Sequence, residues 1–443
     1  MKKFLSILLA ILMLAVMLPV TAMAEENYVM ISGITGVENE KYASFEAAYN
    51  AIKPKLEALC KSDALGQGGT TAEEFDALFF NRDENGNATL TYTICGNITY
   101  DESNLANLLT FGRRASHYGN DRHLINFKFV GATRRDSDTL TVNSNITLPY
   151  EWWGEKTTTS ISFENLTITG TAPSGLYPTQ AYFDGINFKV NNCKLEGIKI
   201  YNCSNVGGSY TITNNIFDGT NAPQNAYAIH LQGNETAPLT INISNNTISG
   251  YDRGINIDQK TAAATISNNN ISVKDTGRSC IQLTRLASTK VENNTMNLTG
   301  GNAITLHEKL LNCAKPEITV SGNAINGTGY LIYDDSNGAF TDDNLNLTIT
   351  KDNTVAKTVD TTQGVKDGEI HPLSGIVKTT VENNVVPGGS TGGTIVIVPD
   401  RTEDTPKTEP EKNPTTGAND VVAAAVALMA VSALGMAVLT RKK

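Results

Sequence analysis

Basic residues are in short supply: 35 Lys and Arg stand against 45 Asp and Glu, a formal charge of −10. Phosphate binding needs clustered Lys and Arg, so nucleic acid is excluded as a partner, and polyanionic glycans are disfavoured for the same reason. Cysteine is sparse too. Cys60, Cys95, Cys193, Cys203, Cys280 and Cys313 in an exported chain of this length are too few for a disulfide scaffold, although one or two bridges fit. No Cys-x-x-Cys pair occurs and the five histidines are scattered, so no metal site is expected.

Long apolar runs stand at the two ends. Lys2 and Lys3 precede the run from Phe4 to Val20, which closes on the small residues Ala22 and Ala24. This reads as a secretory signal peptide, residues 1–24, rather than an uncleaved membrane helix. At the other end, residues 413–443 read "NPTTGANDVVAAAVALMAVSALGMAVLTRKK", a pentapeptide, an apolar stretch of about twenty residues and a basic tail.

That order resembles the cell-wall sorting signal of Gram-positive surface proteins, with Asn413 where the LPxTG-type pentapeptide usually has Leu. The resemblance implies that a sortase reads Asn413, Pro414, Thr415, Thr416 and Gly417. Its thiolate would attack the Thr416 carbonyl, release Gly417 onward and pass the acyl group to a peptidoglycan amine. Membrane contact would then be transient. A permanent membrane anchor is the alternative, and either way the body faces outward.

Between the ends one phrase recurs: "FENLTITG" from Phe163, "VNNCKLEG" from Val190, "ITNNIFDG" from Ile212, "ISNNTISG" from Ile243, "ISNNNISV" from Ile266, "VENNTMNL" from Val291, "VSGNAING" from Val320 and "VENNVVPG" from Val381. Asn165, Asn192, Asn214, Asn245, Asn268, Asn293 and Asn383 share one column, with Gly322 in the same place. Steps of 27, 22, 31, 23, 25 and 29 residues up to Gly322 describe a stacked array with loops of variable length. A second phrase follows most copies: "YAIHL" at Tyr227, "RGINID" at Arg253, "CIQLT" at Cys280, "NAITLH" at Asn302 and "YLIYDD" at Tyr330. Its period-two alternation reads as short strands with one wet face.

Two or three strands per copy, joined at Asn and Gly corners, predict an all-β parallel solenoid. Ile168, Leu195, Phe217, Ile248, Ile271, Met296 and Ile325 should form one interior file, and Ile229, Ile255, Ile281, Ile304 and Leu331 another. The Asn column should supply the left-handed turn and a rung-to-rung amide ladder, a scaffold role rather than a catalytic one. On these residues the chain resembles the right-handed parallel β-helix repeat proteins, the pectin-lyase-like group that includes pectate lyases and polygalacturonases. The resemblance covers Phe163 to Gly388 well and Ile94 to Leu148 less clearly; it specifies architecture and says little about chemistry.

The expected organisation is therefore a signal peptide (1–24), a small helical N-terminal cap (25–88), a β-helix (89–388), a last apolar strand running into a disordered Pro-, Thr- and Glu-rich wall-spanning linker (389–412) and the sorting signal (413–443). Ser44 and Thr71 are plausible helix N-caps within the cap.

Stacked strands also line up their outward residues. His230, Asn256, Gln282 and Thr305 should make one column, and Gln232, Asp258, Thr284, His307 and Asp334 the next. Tyr227, Tyr251, Asp252, Arg253, Arg278 and Tyr330 should flank them. Such a strip suits an extracellular polysaccharide or host glycan, with Tyr227, His230, Tyr251, Arg253, Asn256, Asp258, Arg278, Gln282 and His307 as ligand-binding residues. An ordinary solvated strand face gives the same pattern.

Catalysis as a polysaccharide lyase or glycoside hydrolase is the alternative, with Asp252, Arg253 and Asp258 as the residues available to it. An inverting hydrolase needs two carboxyl groups ~6.5–9.5 Å apart, and Asp258 and Asp334, three copies apart, would be separated by roughly 14 Å. Asp252 with Asp258, and Asp334 with Asp335, stay open. No Gly-His-Gly or Arg-Ile-Lys segment of the polygalacturonase kind is present. No cofactor is expected, with calcium relevant only to a lyase. An adhesive or glycan-binding module on the wall is the favoured reading, and a plain stalk is a third.

Overall fold

The structure, a computed structural model, describes residues 27–59, 76–83, 86–100, 125–142, 146–147, 160–170, 175–177, 186–204, 208–233, 238–274, 278–350, 352–361, 363–366, 369–372 and 377–379. All of them lie in one compact unit. The expected signal peptide, linker and sorting signal, the repeat copy at Val381 and Asn383 fall outside the described residues. Among the described residues no helix is long and apolar enough to cross a membrane.

Strands coil into a parallel β-helix. The coil that starts at Leu239 gives Leu239–Ser244 to a 13-stranded sheet, then Thr247–Tyr251 and Arg253–Asp258 to a 17-stranded one. Each pairs in parallel with its counterpart in the next coil, Ala262–Ser267, Asn270–Val273 and Ser279–Arg285. Alternation puts one set of side chains inside, where like residues meet across the rung spacing of ~4.8 Å.

The first expected file holds: Ile168, Leu195, Phe217, Ile248, Ile271, Met296 and Ile325 pair in succession. It extends to Ile98 and Leu140 before them and Val355 after. The second file needs one correction. Ile304 pairs with Ile332, whereas Leu331 is buried in the neighbouring position, because an irregularity between Thr299 and Gly301 slips the register. The coil that starts at Leu239 buries Leu239, Ile241, Ile243, Ile248, Ile255 and Ile257, at about 1.5–3 kcal/mol per side chain.

The two asparagines of each repeat divide the work expected of one. Asn165, Asn192, Asn214, Asn245, Asn268 and Asn293 have φ between 53° and 60°, with Gly322 at 62°, so they make the left-handed corner. The buried ladder runs one residue later, through Asn215, Asn246, Asn269, Asn294, Asn323 and Asn353, each bonding to the next at 2.9–3.0 Å. Neighbouring residues cannot both point inward, so the corner side chains stay near solvent and the next amide enters the core. Asn353 belongs to a further coil, Asn346–Ile349 with Thr354–Val355, whose phrase "ITKDNTV" carries one extra residue before its Asn.

The two strands on the 17-stranded side meet at a corner of variable length. Residues 219–226 span it in one coil, Asp252 alone in the next and residues 274–278 in the third. In Thr295–Leu306 and Ala324–Asp334 the two strands run together as one.

The cap closes the first coil with a helix and strands. Ser44 Oγ accepts from the Ala47 N–H at 3.1 Å at the start of the helix Phe45–Leu59. Phe45, Ala48, Tyr49 and Ile52 form its buried face, and the Phe45 ring meets those of Tyr92, Tyr100 and Phe129 at 6.0–6.2 Å. Tyr28–Ser32 pairs antiparallel with Ala88–Cys95 and covers the sheet edge. Thr71 lies outside the described residues.

Candidate functional site

The outward columns of the strand Arg253–Asp258 and its neighbours assemble a groove of about 390 Å³, within the ~300–1,000 Å³ of small-molecule sites. Four successive coils line it. Arg253 comes from the first, Arg278, Ser279 and Gln282 from the second, Gly300, Asn302, Thr305 and His307 from the third, and Tyr330, Tyr333 and Asp335 from the fourth. Arg278 stands at the rim just before the strand Ser279–Arg285, and its Nη2 donates to Asn225 Oδ1 at 3.1 Å.

The expected central column forms, in the order His230, Asn256, Gln282, Thr305. It gains Tyr201 before and Tyr333 after. The outer column needs correction at two points. Asp258 pairs with Arg285 in place of Thr284, because the register shifts after Ile257. His307 meets Asp335, Nε2 to Oδ2 at 3.7 Å, while Asp334 turns inward and accepts from the Ser336 and Gly338 N–H groups. His307 Nδ1 accepts from the Lys309 N–H at 3.2 Å, which leaves Nε2 to face Asp335.

Of the nine residues expected to bind ligand, four line the groove: Arg253, Arg278, Gln282 and His307. Tyr227 supports them from behind. Its hydroxyl donates to Gln282 Oε1 at 3.0 Å and accepts from Arg253 Nη1 at 2.8 Å, and its ring lies 4.9 Å from the guanidinium. His230 sits between the Tyr201 and Tyr227 rings at 5.1 and 4.9 Å, and burial pushes its pKa down to about 4.

The other three are inside the wall. Asn256 accepts from Thr284 Oγ1 at 2.7 Å and is 3 % exposed. Asp258 is ion-paired with Arg285. Tyr251 is fully buried, its hydroxyl given to the Ile198 carbonyl, and stands beside a separate cavity of about 170 Å³.

The open carboxylate pairs do not make a hydrolase centre. Asp252 and Asp258 lie at opposite ends of a strand, about 20 Å apart at ~3.3 Å per residue. Asp252 accepts from the Asn225 N–H and pairs with Lys274 at 3.5 Å. Asp334 and Asp335 are adjacent but face opposite sides of the wall. Among the described residues, no group of three His, Cys, Asp or Glu side chains is placed to hold a metal ion.

Sequence reasoning placed Thr305 and Tyr330 in the strip without assigning them as ligand-binding, and it did not place Ser279, Gly300, Asn302, Tyr333 or Asp335 there. Ser279 and Asn302 occupy the position of Tyr227 and Arg253 in their coils, a signal visible in the phrases "SCIQL" and "NAITL". Tyr333 and Asp335 were displaced by the one-residue slip at Leu331.

A family model described as a right handed beta helix region matches residues 196–386. With the parallel sheets, this establishes an all-β, right-handed parallel β-helix of pectin-lyase-like architecture. No match is found among curated proteins or among solved structures.

Proposed function

We propose that this right-handed β-helix is the exposed body of an exported, wall-attached protein, and that it holds glycans in the groove crossed by the strands from Arg253 to Asp334. The observation that carries the reading is the composition of the groove. Amides and hydroxyls of Gln282, Asn302, Ser279 and Thr305 lie beside the Tyr330 and Tyr333 rings, whose centroids are 6.3 Å apart. A sugar presents hydroxyls at its edge and C–H groups on its face, so it meets hydrogen bonds from the first set and stacking from the second.

Binding is favoured over cleavage because Asp252 and Asp258 are committed to structural contacts and stand too far apart for paired acid–base work. Attachment rests on the sequence at residues 413–443, where a sortase would join Thr416 to a peptidoglycan amine.

The test incubates the secreted body with plant, host and bacterial polysaccharides, following retention, new reducing ends and unsaturated products by ultraviolet absorbance. Retention without products is the expected outcome. Products that vanish in His307→Ala protein would replace the binding reading with an enzymatic one. For attachment, Thr416→Ala protein should leave the wall fraction; if it stays there covalently bound, the sortase reading fails.

A further inference from the structure

The charges in the groove are unevenly placed, and their placement narrows the ligand. Arg253 and Arg278 stand at the first two of the four coils, and Asp335 at the last. Arg253 and Tyr330 occupy equivalent positions three rungs apart, roughly 14 Å at the rung spacing.

Arg253 is the informative residue. Among the described residues no carboxylate lies within ion-pairing distance of it, and its Nε is buried without a hydrogen-bond partner. Its Nη1 donates to the uncharged partner it does have, the Tyr227 hydroxyl. The same tyrosine ring lies against the guanidinium and fixes its plane. By contrast Arg285, one coil on, spends its charge on Asp258. A half-buried guanidinium held flat with no anion opposite it is a preformed receptor for a carboxylate, whose two oxygens match its fork.

Resting on the glycan-binding reading above, we propose that the groove selects an oligosaccharide carrying a single carboxylate, bound at Arg253 and Arg278, with neutral sugar units lying toward Tyr330 and Asp335. The Asp335 carboxylate accepts hydroxyl hydrogens at that far end and repels a second anion there. A homopolymer of acidic sugars would set further carboxylates against Asp335, at the end of the groove away from both arginines. The chain's overall acidity does not oppose the single contact, because charges beyond ~8 Å are screened at physiological salt and the two arginines are local.

The test uses the intact secreted chain and matched trisaccharides in calorimetry: neutral, one terminal uronate, the methyl ester of that uronate, one terminal sulfate, and all-uronate. The expected result is at least tenfold tighter binding of the single uronate than of its ester or the neutral sugar. The all-uronate chain should bind weaker than the single uronate and recover in Asp335→Asn. Arg253→Gln should erase the preference for the acid over its ester, and Arg253→Lys should restore part of it, with unfolding curves showing both variants folded. Equal binding of acid, ester and neutral sugar overturns the carboxylate site but leaves the glycan reading standing. Tightest binding by the all-uronate chain overturns the single-charge claim, and preference for the sulfate overturns the carboxylate assignment. If no oligosaccharide binds, both readings fail together.

Discussion

Asn246 and Asn269 are bonded twice across one coil. The Asn246 carboxamide donates to Asn269 Oδ1 at 2.9 Å, and the Asn246 backbone N–H donates to the same oxygen at 3.0 Å. Asn269 Nδ2 in turn reaches the Ile243 carbonyl and Asn294 Oδ1, both at 2.9 Å. The buried amide therefore ties three coils together.

Replacing Asn269 with Ala removes all four of these bonds; Asn246 Nδ2 keeps the Ile212 carbonyl and Asn294 Oδ1 keeps the backbone N–H of residue 269, whereas the Asn246 N–H loses its acceptor. The expected cost of losing Asn269 is about 1–3 kcal/mol for the buried group left unpaired. Its neighbour Asn268, at φ 56°, should respond differently. Asn268→Gly should be nearly neutral and Asn268→Val should cost about 1–2 kcal/mol through backbone strain alone. Urea unfolding of the three variants separates the two roles.

That division explains what the sequence disclosed. The alternation in "YAIHL" and "RGINID" reports directly on burial, so fold and interior files were legible. The pair "NN" showed that an amide mattered, but a side chain's direction at a corner depends on φ, which the letters do not carry. Register across coils was lost where the backbone bulges, at Thr299 to Gly301 and after Ile257. The groove draws on four coils, so each slip misplaced one wall. Tyr251 illustrates a different blindness: an aromatic at a corner looks exposed in a pattern, yet Gly219 leaves room for its ring to turn inward.

Gly254 lies where two coils approach closely near the groove. A Cβ built there would stand 2.1 Å from the Cys280 carbonyl oxygen, a backbone atom held in the sheet. Gly254→Ala should separate the coils, cost more than about 2 kcal/mol and reduce secretion yield. An unchanged melting temperature would show that the coils shift freely.

Stability should depend on pH through His230. Burial lowers its folded pKa to about 4 from an unfolded value of 6.5. The unfolded chain therefore takes up the proton first, so the stabilisation is present above pH 6.5 and is lost as pH falls toward about 4. The full span is at most about 3 kcal/mol. His230→Gln should flatten the stability profile over that window, measured by denaturant midpoint at pH 4.5 and 7.5.

The cysteines give a simple accessibility test. Cys193 and Cys280 are free and fully buried, and burial pushes both thiols up to about 12. Neither should react with iodoacetamide at pH 8 until the chain unfolds, whereas the partly exposed Cys313 should label in the native protein. Mass spectrometry of peptides labelled before and after denaturation reads the difference.

The variable corner between the two strands of the 17-stranded side separates recognition from folding. Its span ranges from the eleven- and twelve-residue continuous strands, with no intervening loop, to residues 219–226, while the buried files run past it undisturbed. Peptides grafted into 219–226 would sit at the rim beside Arg278, which Asn225 already touches, and leave the aliphatic interior as it is. The molecule thereby offers an edge on which new specificities can be displayed without redesigning what holds it up.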